Sequence, residues 1–271
     1  MAFVLLATRA PASSTPAPAT DRLLTEMLDL SGTRRMLEQV PQQVQASALH
    51  DQEKLPAAVR SRLQGALAES YRFESLYKTA FEHVRKHATP DELAQAIDLL
   101  RSPLVLRFTE YEVQAGTPES APLLTAFVNK LPYSPPPDAR LDLVQRLDDL
   151  TATSALLTEV TVQTAAAIAR GVSSARAPMT RAQRLALEDA VVQMRREIAP
   201  ATRQQVLTTF LFSYRKATDA DLERYVQLYE GRSGHWLAQV TGTALRHALE
   251  QAAIDLARRI TSPGAPLAPQ K

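Results

Sequence analysis

The chain has no cysteine, which excludes disulfides, thiolate nucleophiles and cysteine-ligated zinc. It has only 8 glycines, with 7 Phe, 7 Tyr and 1 Trp among 271 residues. That is too little turn and aromatic chemistry for a strand-rich sandwich or barrel. No apolar run approaches the ~18 residues that a membrane-spanning helix needs. Charge of one sign is also missing: 31 Lys and Arg against 29 Asp and Glu leave +2, and the signs alternate instead of forming blocks. Such a balance creates no field that would hold a polyanion, so nucleic acid is not an expected partner. There is no Gly-x-Ser-x-Gly elbow and no glycine-rich phosphate loop.

What remains is a 45% hydrophobic, 22% charged chain of ordinary globular composition. Its apolar residues recur at spacings of three and four, as in Leu23, Leu24 and Met27, so an all-α fold is predicted. The first twenty residues read differently. Apolar Ala2 to Ala7 is followed by Ala10-x-Ala12 and a Pro/Ala/Ser/Thr tract to Thr20, a pattern like the end of a secretory signal or a disordered N-terminal segment.

An internal repeat is expected. Leu30-Ser31-Gly32-Thr33 through Val40 lies over Leu150-Thr151-Ala152-Thr153 through Val160, 120 residues on, with the main apolar positions coinciding. A second block, Thr89-Pro90-Asp91-Glu92-Leu93 through Ser102, lies over Thr218-Asp219-Ala220-Asp221-Leu222 through Gly231, now 129 residues on. The extra residues fall most naturally around Arg170 to Arg181, where Gly, Ser and Pro cluster. The predicted architecture is therefore two diverged helical-bundle repeats, 21–130 and 139–260, joined by a proline-rich linker at 131–138 (Leu131-Pro132-Tyr133-Ser134-Pro135-Pro136-Pro137-Asp138). The proline-containing tail 261–271 is expected to be disordered.

Helix punctuation supports this reading. Thr89-Pro90-Asp91-Glu92 supplies an N-cap hydroxyl, a proline at the first helical position and a glutamate able to close a capping box. Ser102-Pro103 and Gly231-Arg232-Ser233-Gly234 mark sharp turns between flanking helices that form hairpins. Helices are predicted near 21–49, 56–70, 72–87, 90–101, 103–115 and 119–130, then 138–170, 180–198, 201–216, 219–230 and 233–260.

The Leu30-Ser31-Gly32 segment, the Thr-Pro-Asp-Glu-Leu helix start and the ending Leu100-Arg101-Ser102-Pro103 together resemble the bacterial domain-of-unknown-function family DUF2059, here as a two-copy member. The family's pattern after that helix, of the form FY-x-SP-x-G, is split between the copies: Ser102-Pro103 in the first, Leu228-Tyr229 and Gly234 in the second. The resemblance implies an exported, periplasmic helical protein and no known reaction.

Candidate chemistry is sparse. His83 and His87, four apart on one helix, have a spacing that lets two imidazoles reach one metal, but Val84 stands where a zincin motif has glutamate. Arg85 and Lys86 between them, and Phe212 and Lys216 at the matching places of the second copy, favour a solvated basic helix end instead. Asp148-Asp149 and Asp219/Asp221 read as solvated charges. Tyr225, Tyr229, His235 and Trp236 flank one turn and form the candidate interaction surface, with Trp236 alternatively closing the hairpin onto the preceding helix. Ser233 to Ile260 runs as one helix whose apolar stripe covers the core or meets another chain.

No catalytic, cofactor-binding or metal-binding residue is assigned. The expected function is that of a non-enzymatic periplasmic interaction, adaptor or chaperone-like module, without cofactor, whose partner is another envelope protein or a second copy. An alternative is a hydrolase-type enzyme with dispersed residues near the hairpin turns (Glu230, Ser233, His235). A second alternative is a cytoplasmic helical scaffold.

Overall fold

A computed structural model describes residues 17–49, 57–174 and 179–261, and among them every regular element is helical and none is a strand. In chain order these are α1 (Ala17–Leu30), α2 (Thr33–Leu49), α3 (Ala57–Ser70), α4 (Phe73–His87), α5 (Pro90–Leu100) and α6 (Pro103–Ala115). A one-turn 3-10 helix (Pro118–Ser120) leads into α7 (Ala121–Lys130). There follow α8 (Asp138–Thr151), α9 (Thr153–Ser174), α10 (Arg181–Ser213), α11 (Asp219–Glu230) and α12 (Arg232–Thr261). The fold is all-α. The signal-like residues 1–16, the tail beyond Thr261, and positions 175–178 of the expected insertion lie outside the described residues.

The caps act as the sequence predicts. The Thr89 hydroxyl accepts from the Glu92 amide while the Glu92 carboxylate accepts from the Thr89 amide, satisfying two donors at the start of α5. Ser102 accepts from the Val105 amide to open α6, and Thr218 accepts from the Asp221 amide to open α11. Thr180 and Gln183 form a second capping box, at the start of α10.

Three boundaries differ from expectation. The helix expected over 21–49 is broken at Ser31-Gly32, where Gly32 takes φ +75°, and the one over 138–170 is broken at Ala152, with φ +52°. The helices expected at 180–198 and 201–216 are one continuous helix through Pro200. Pro200 and Arg196 are exposed, so water can take the carbonyl that the proline leaves without an amide donor. The first helix also begins at Ala17, inside the stretch read as an N-terminal segment.

Helices from the two ends of the chain interlock. In the first half α1 packs on α5, α4 and α2; in the second α8 packs on α11 and α10, and α9 on α10. The helix that follows each turn then crosses over: α6 packs on α10 and α11, while α12 lies along α3, α4 and α5 as well as α9. One contiguous apolar core results, running from Leu24 to Ile260 in sequence. Cross-connections pin it: the Tyr71 and Thr164 hydroxyls are 2.8 Å apart, and Ser70 Oγ donates to Asp255 Oδ2 at 3.1 Å.

The Pro-rich junction 131–137 is not helical, and Tyr133 in it is 90% exposed. Immediately after it, Arg140 donates to the Tyr214 carbonyl (2.6 Å) and the Ala217 carbonyl (3.2 Å) and pairs with Asp219. Those carbonyls lie where α10 ends, so one guanidinium with five donors occupies them and fastens the start of α8 to the α10–α11 loop.

Candidate functional site

The crossing of α6 over α10 and α11 gathers a cluster of oxygen and aromatic groups that no local pattern predicts. Phe108 and Glu112 lie four apart on α6; Tyr214 ends α10; Tyr225 and Tyr229 lie four apart on α11. Tyr214 Oη donates to Glu112 Oε1 at 2.6 Å, and Tyr225 Oη donates to the same oxygen at 3.1 Å. The Tyr225 and Tyr229 hydroxyls are 3.4 Å apart. Phe108 stacks on Tyr225 with centroids 4.2 Å apart and lies 5.1 Å from the Tyr214 ring.

These surroundings decide which forms the groups take. Burial, and then the Glu112 charge, raise the Tyr214 and Tyr225 phenols well above the usual range, and the same two causes push Tyr229 up to about 12. All three are therefore neutral donors at neutral pH. Crowding by protein raises the Glu112 pKa, while the hydrogen bonds from Tyr214 and Tyr225 and the charge of Arg35 pull it back down. Glu112 keeps exposed surface, which limits that rise. Neutral phenols donating to one carboxylate fasten α6 to α10 and α11.

The four sequence-predicted residues are not one surface. Tyr225 is 2% exposed and belongs to the aromatic cluster. Tyr229 is half-buried beside it, with an edge-on contact at 5.3 Å. Trp236 is half-buried against the core at the start of α12, and His235 alone is exposed. The α11–α12 turn is tight because Gly234 is buried against α11: a β-carbon there would overlap the Leu228 carbonyl oxygen and come within 2.7 Å of Tyr229 Cα.

The residues of the dispersed-enzyme alternative have separate engagements. Glu230 pairs with Arg146, Ser233 Oγ lies 3.3 Å from Gln95 Oε1, and His235 faces solvent. A cleft between α9 and α12, lined by Leu156, Glu159, Gln163, Arg246 and Glu250 among others, holds about 10 Å³ of internal space. That is room for one water at most. Asp148 is not a solvated charge: it is buried and accepts from the Ser154 amide (2.8 Å) and hydroxyl (2.6 Å), capping α9. Among the described residues, no group of three or more His, Asp or Glu is arranged to hold a metal ion. None of their helices is long and apolar enough to cross a membrane.

Two features were not assigned from sequence. His83 and His87 are joined by His247 of α12, with ring centroids 4.4 Å and 5.2 Å from His83. And α7 carries Ala, Pro, Leu, Phe and Val with one charged residue, Lys130, yet none of its ten residues is buried. Phe127 ties it to Phe212 of α10 (5.7 Å), while Leu123 is 55% and Val128 42% exposed.

Comparison with protein-family models, with curated proteins and with solved structures found no match.

Proposed function

We propose that this chain works by binding a protein partner, as an exported helical interaction or adaptor module of the bacterial envelope. The observation that carries the reading is α7. An apolar helix with one charge is anchored through Phe127 and leaves Leu123 and Val128 in water. Exposed apolar area costs about 25 cal/mol per Å² relative to burial, so an apolar helix left without a covering neighbour is a candidate interaction element. Tyr133, standing almost fully exposed three residues after α7, adds a side chain of a type suited to half-wet interfaces. Export and the DUF2059 resemblance belong to the same proposal and draw support from the signal-like Ala2 to Ala12 segment and the Thr89 to Pro103 motifs. The two-repeat reading draws support from the matching turns at Gly32 and Ala152 and the reciprocal crossing of α6 and α12.

The test places a photo-cross-linking amino acid at position 123 of the full chain in intact cells, with position 205 on the exposed face of α10 as control. The reading expects one discrete adduct from position 123, lost in a Val128→Lys background whose helical spectrum is unchanged, and located in the envelope fraction. Equal adducts from both positions would remove the proposal. A cytoplasmic location would convert it to the scaffold alternative, and an adduct of twice the chain's mass would identify the partner as a second copy.

A further inference from the structure

The seam between α4 and α12 joins the two halves of the chain, and three of its five histidines meet there. His83 and His87 stack face to face one helical turn apart, and His247 approaches His83 from α12. His87 Nδ1 lies 2.7 Å from the His83 carbonyl, which can only accept, so Nδ1 carries the hydrogen. Beneath these rings the seam is apolar and closed: Val84 and Ala80 on α4, Ala244, Leu245 and Ala248 on α12 are all buried.

We propose that His83, His87 and His247 form a proton-operated latch on the α4–α12 seam: neutral imidazoles pack and hold it shut, and their protonation in mildly acidic surroundings loosens it. Two cationic rings at 4–5 Å repel. The charged groups around the cluster sharpen this. Arg246 of α12 and Lys86 of α4 add positive charge, and with the other two histidines they act against protonation of His83, after the loss of water that lowers it most. From α1, Asp21 is taken by Arg85 (3.1 Å). From α2, Arg34 and Glu38 pair with each other. From α3, Glu69 pairs with Arg72, and on α4 itself Glu82 pairs with Lys78. Across α12, Glu159 of α9 is held by Arg195, and Glu250 lines the α9 side of the helix with Arg246.

The sign follows from linkage. A histidine held below its unfolded value binds fewer protons in the folded state, so its contribution is full above about pH 6.5 and declines as pH falls through that value. Glu112 acts oppositely, since a raised carboxyl favours folding on acidification, and Glu159, held low mainly by Arg195, loses its contribution only below the ordinary carboxylate range. A loss that begins near pH 6.5 is therefore assigned to imidazole.

Thermal melts of the full chain at pH 7.5 and 5.5 test this, beside His83→Gln and His247→Gln. The wild type is expected to lose about 3 °C more than either variant over that interval. Because a variant could fold poorly, hydrogen exchange on the wild type gives a second reading. Amides around 80–87 and 244–250 should exchange about fivefold faster at pH 5.5, after correction for intrinsic rates, while those of α8 and α11 do not. Parallel melting of all three proteins, or a uniform change in exchange across the helices, overturns the latch.

Discussion

α6 and α12 each start almost directly after another helix, yet they leave it in different ways. Between α5 and α6 stand Arg101 and Ser102, and Val105 is buried in the first turn of α6. Between α11 and α12 stands Gly231 alone, and the position 129 residues after Val105 is Gly234. A valine side chain needs space that glycine does not, so α12 lies against α11 at backbone distance while α6 has much less packing with α5. With no β-carbon at position 234, the start of α12 can approach the α11 backbone directly. α12 is seated by close approach to its own neighbour and then runs along α9, α4 and α3. α6 is swung onto α10 and α11 and is fastened there by side-chain chemistry at Glu112.

The sharpest way to break this contrast is Gly234→Ala. The added methyl collides with backbone, not with a side-chain tip that could swing aside, so the α11–α12 turn has to open. The expected cost is about 3 kcal/mol or more, at the upper end for overpacking. It should appear as a lower urea midpoint with the slope unchanged, and a midpoint within error of wild type would show that α12 is not seated by this contact.

For α6 the corresponding break is chemical. Glu112→Leu removes the acceptor of Tyr214 and Tyr225, both buried, and is expected to cost about 2 kcal/mol, because Tyr214 loses its hydroxyl partner while Tyr225 keeps only the longer contact to Tyr229. Glu112→Gln keeps an acceptor oxygen and should cost less than half as much. If the two substitutions were equal in urea unfolding, the fastening would reside in packing around Phe108 and not in the hydrogen bonds.

How far the sequence foretold these features depends on how local they are. The Thr89 box, the Ser102 cap and the Thr218 cap each rest on residues three apart, so their chemistry is legible in a short window. Pro200 misled because a proline stops a helix only where its lost hydrogen bond and its ring cannot be accommodated, and exposure supplies that accommodation. The Ala152 break was hidden for the opposite reason, since alanine is the strongest helix former and nothing in its type announces a left-handed backbone. Glu112 and Tyr214 are 102 residues apart, and His83 and His247 are on different helices; only the crossing of α6 and α12 brings them together. Of the surface predicted from sequence, Tyr225 and Tyr229 do neighbour one another, but through the core cluster and not as an open platform.

The smallest effects concern the turns that open the two halves, and they test whether one device is used twice. At Leu30 to Thr33 the Ser31 and Thr33 hydroxyls are 2.8 Å apart across Gly32; at Leu150 to Thr153 the Thr151 and Thr153 hydroxyls are 2.8 Å apart across Ala152. Both central residues have positive φ, which glycine adopts freely and alanine only at a cost of about 1–2 kcal/mol. Space is not the issue at Gly32, where a β-carbon would meet nothing within 4 Å. Gly32→Ala should therefore lower stability by about 1 kcal/mol through backbone strain alone. Ala152→Gly should raise it by about 0.5–1 kcal/mol, the relief of strain being partly offset by the larger freedom of glycine in the unfolded chain. Opposite shifts of similar size in the urea midpoints would show that both turns store the same backbone conformation. If Ala152→Gly destabilised instead, the alanine methyl would have to contribute packing that outweighs its strain, and the two turns would be alike in form but not in energetics.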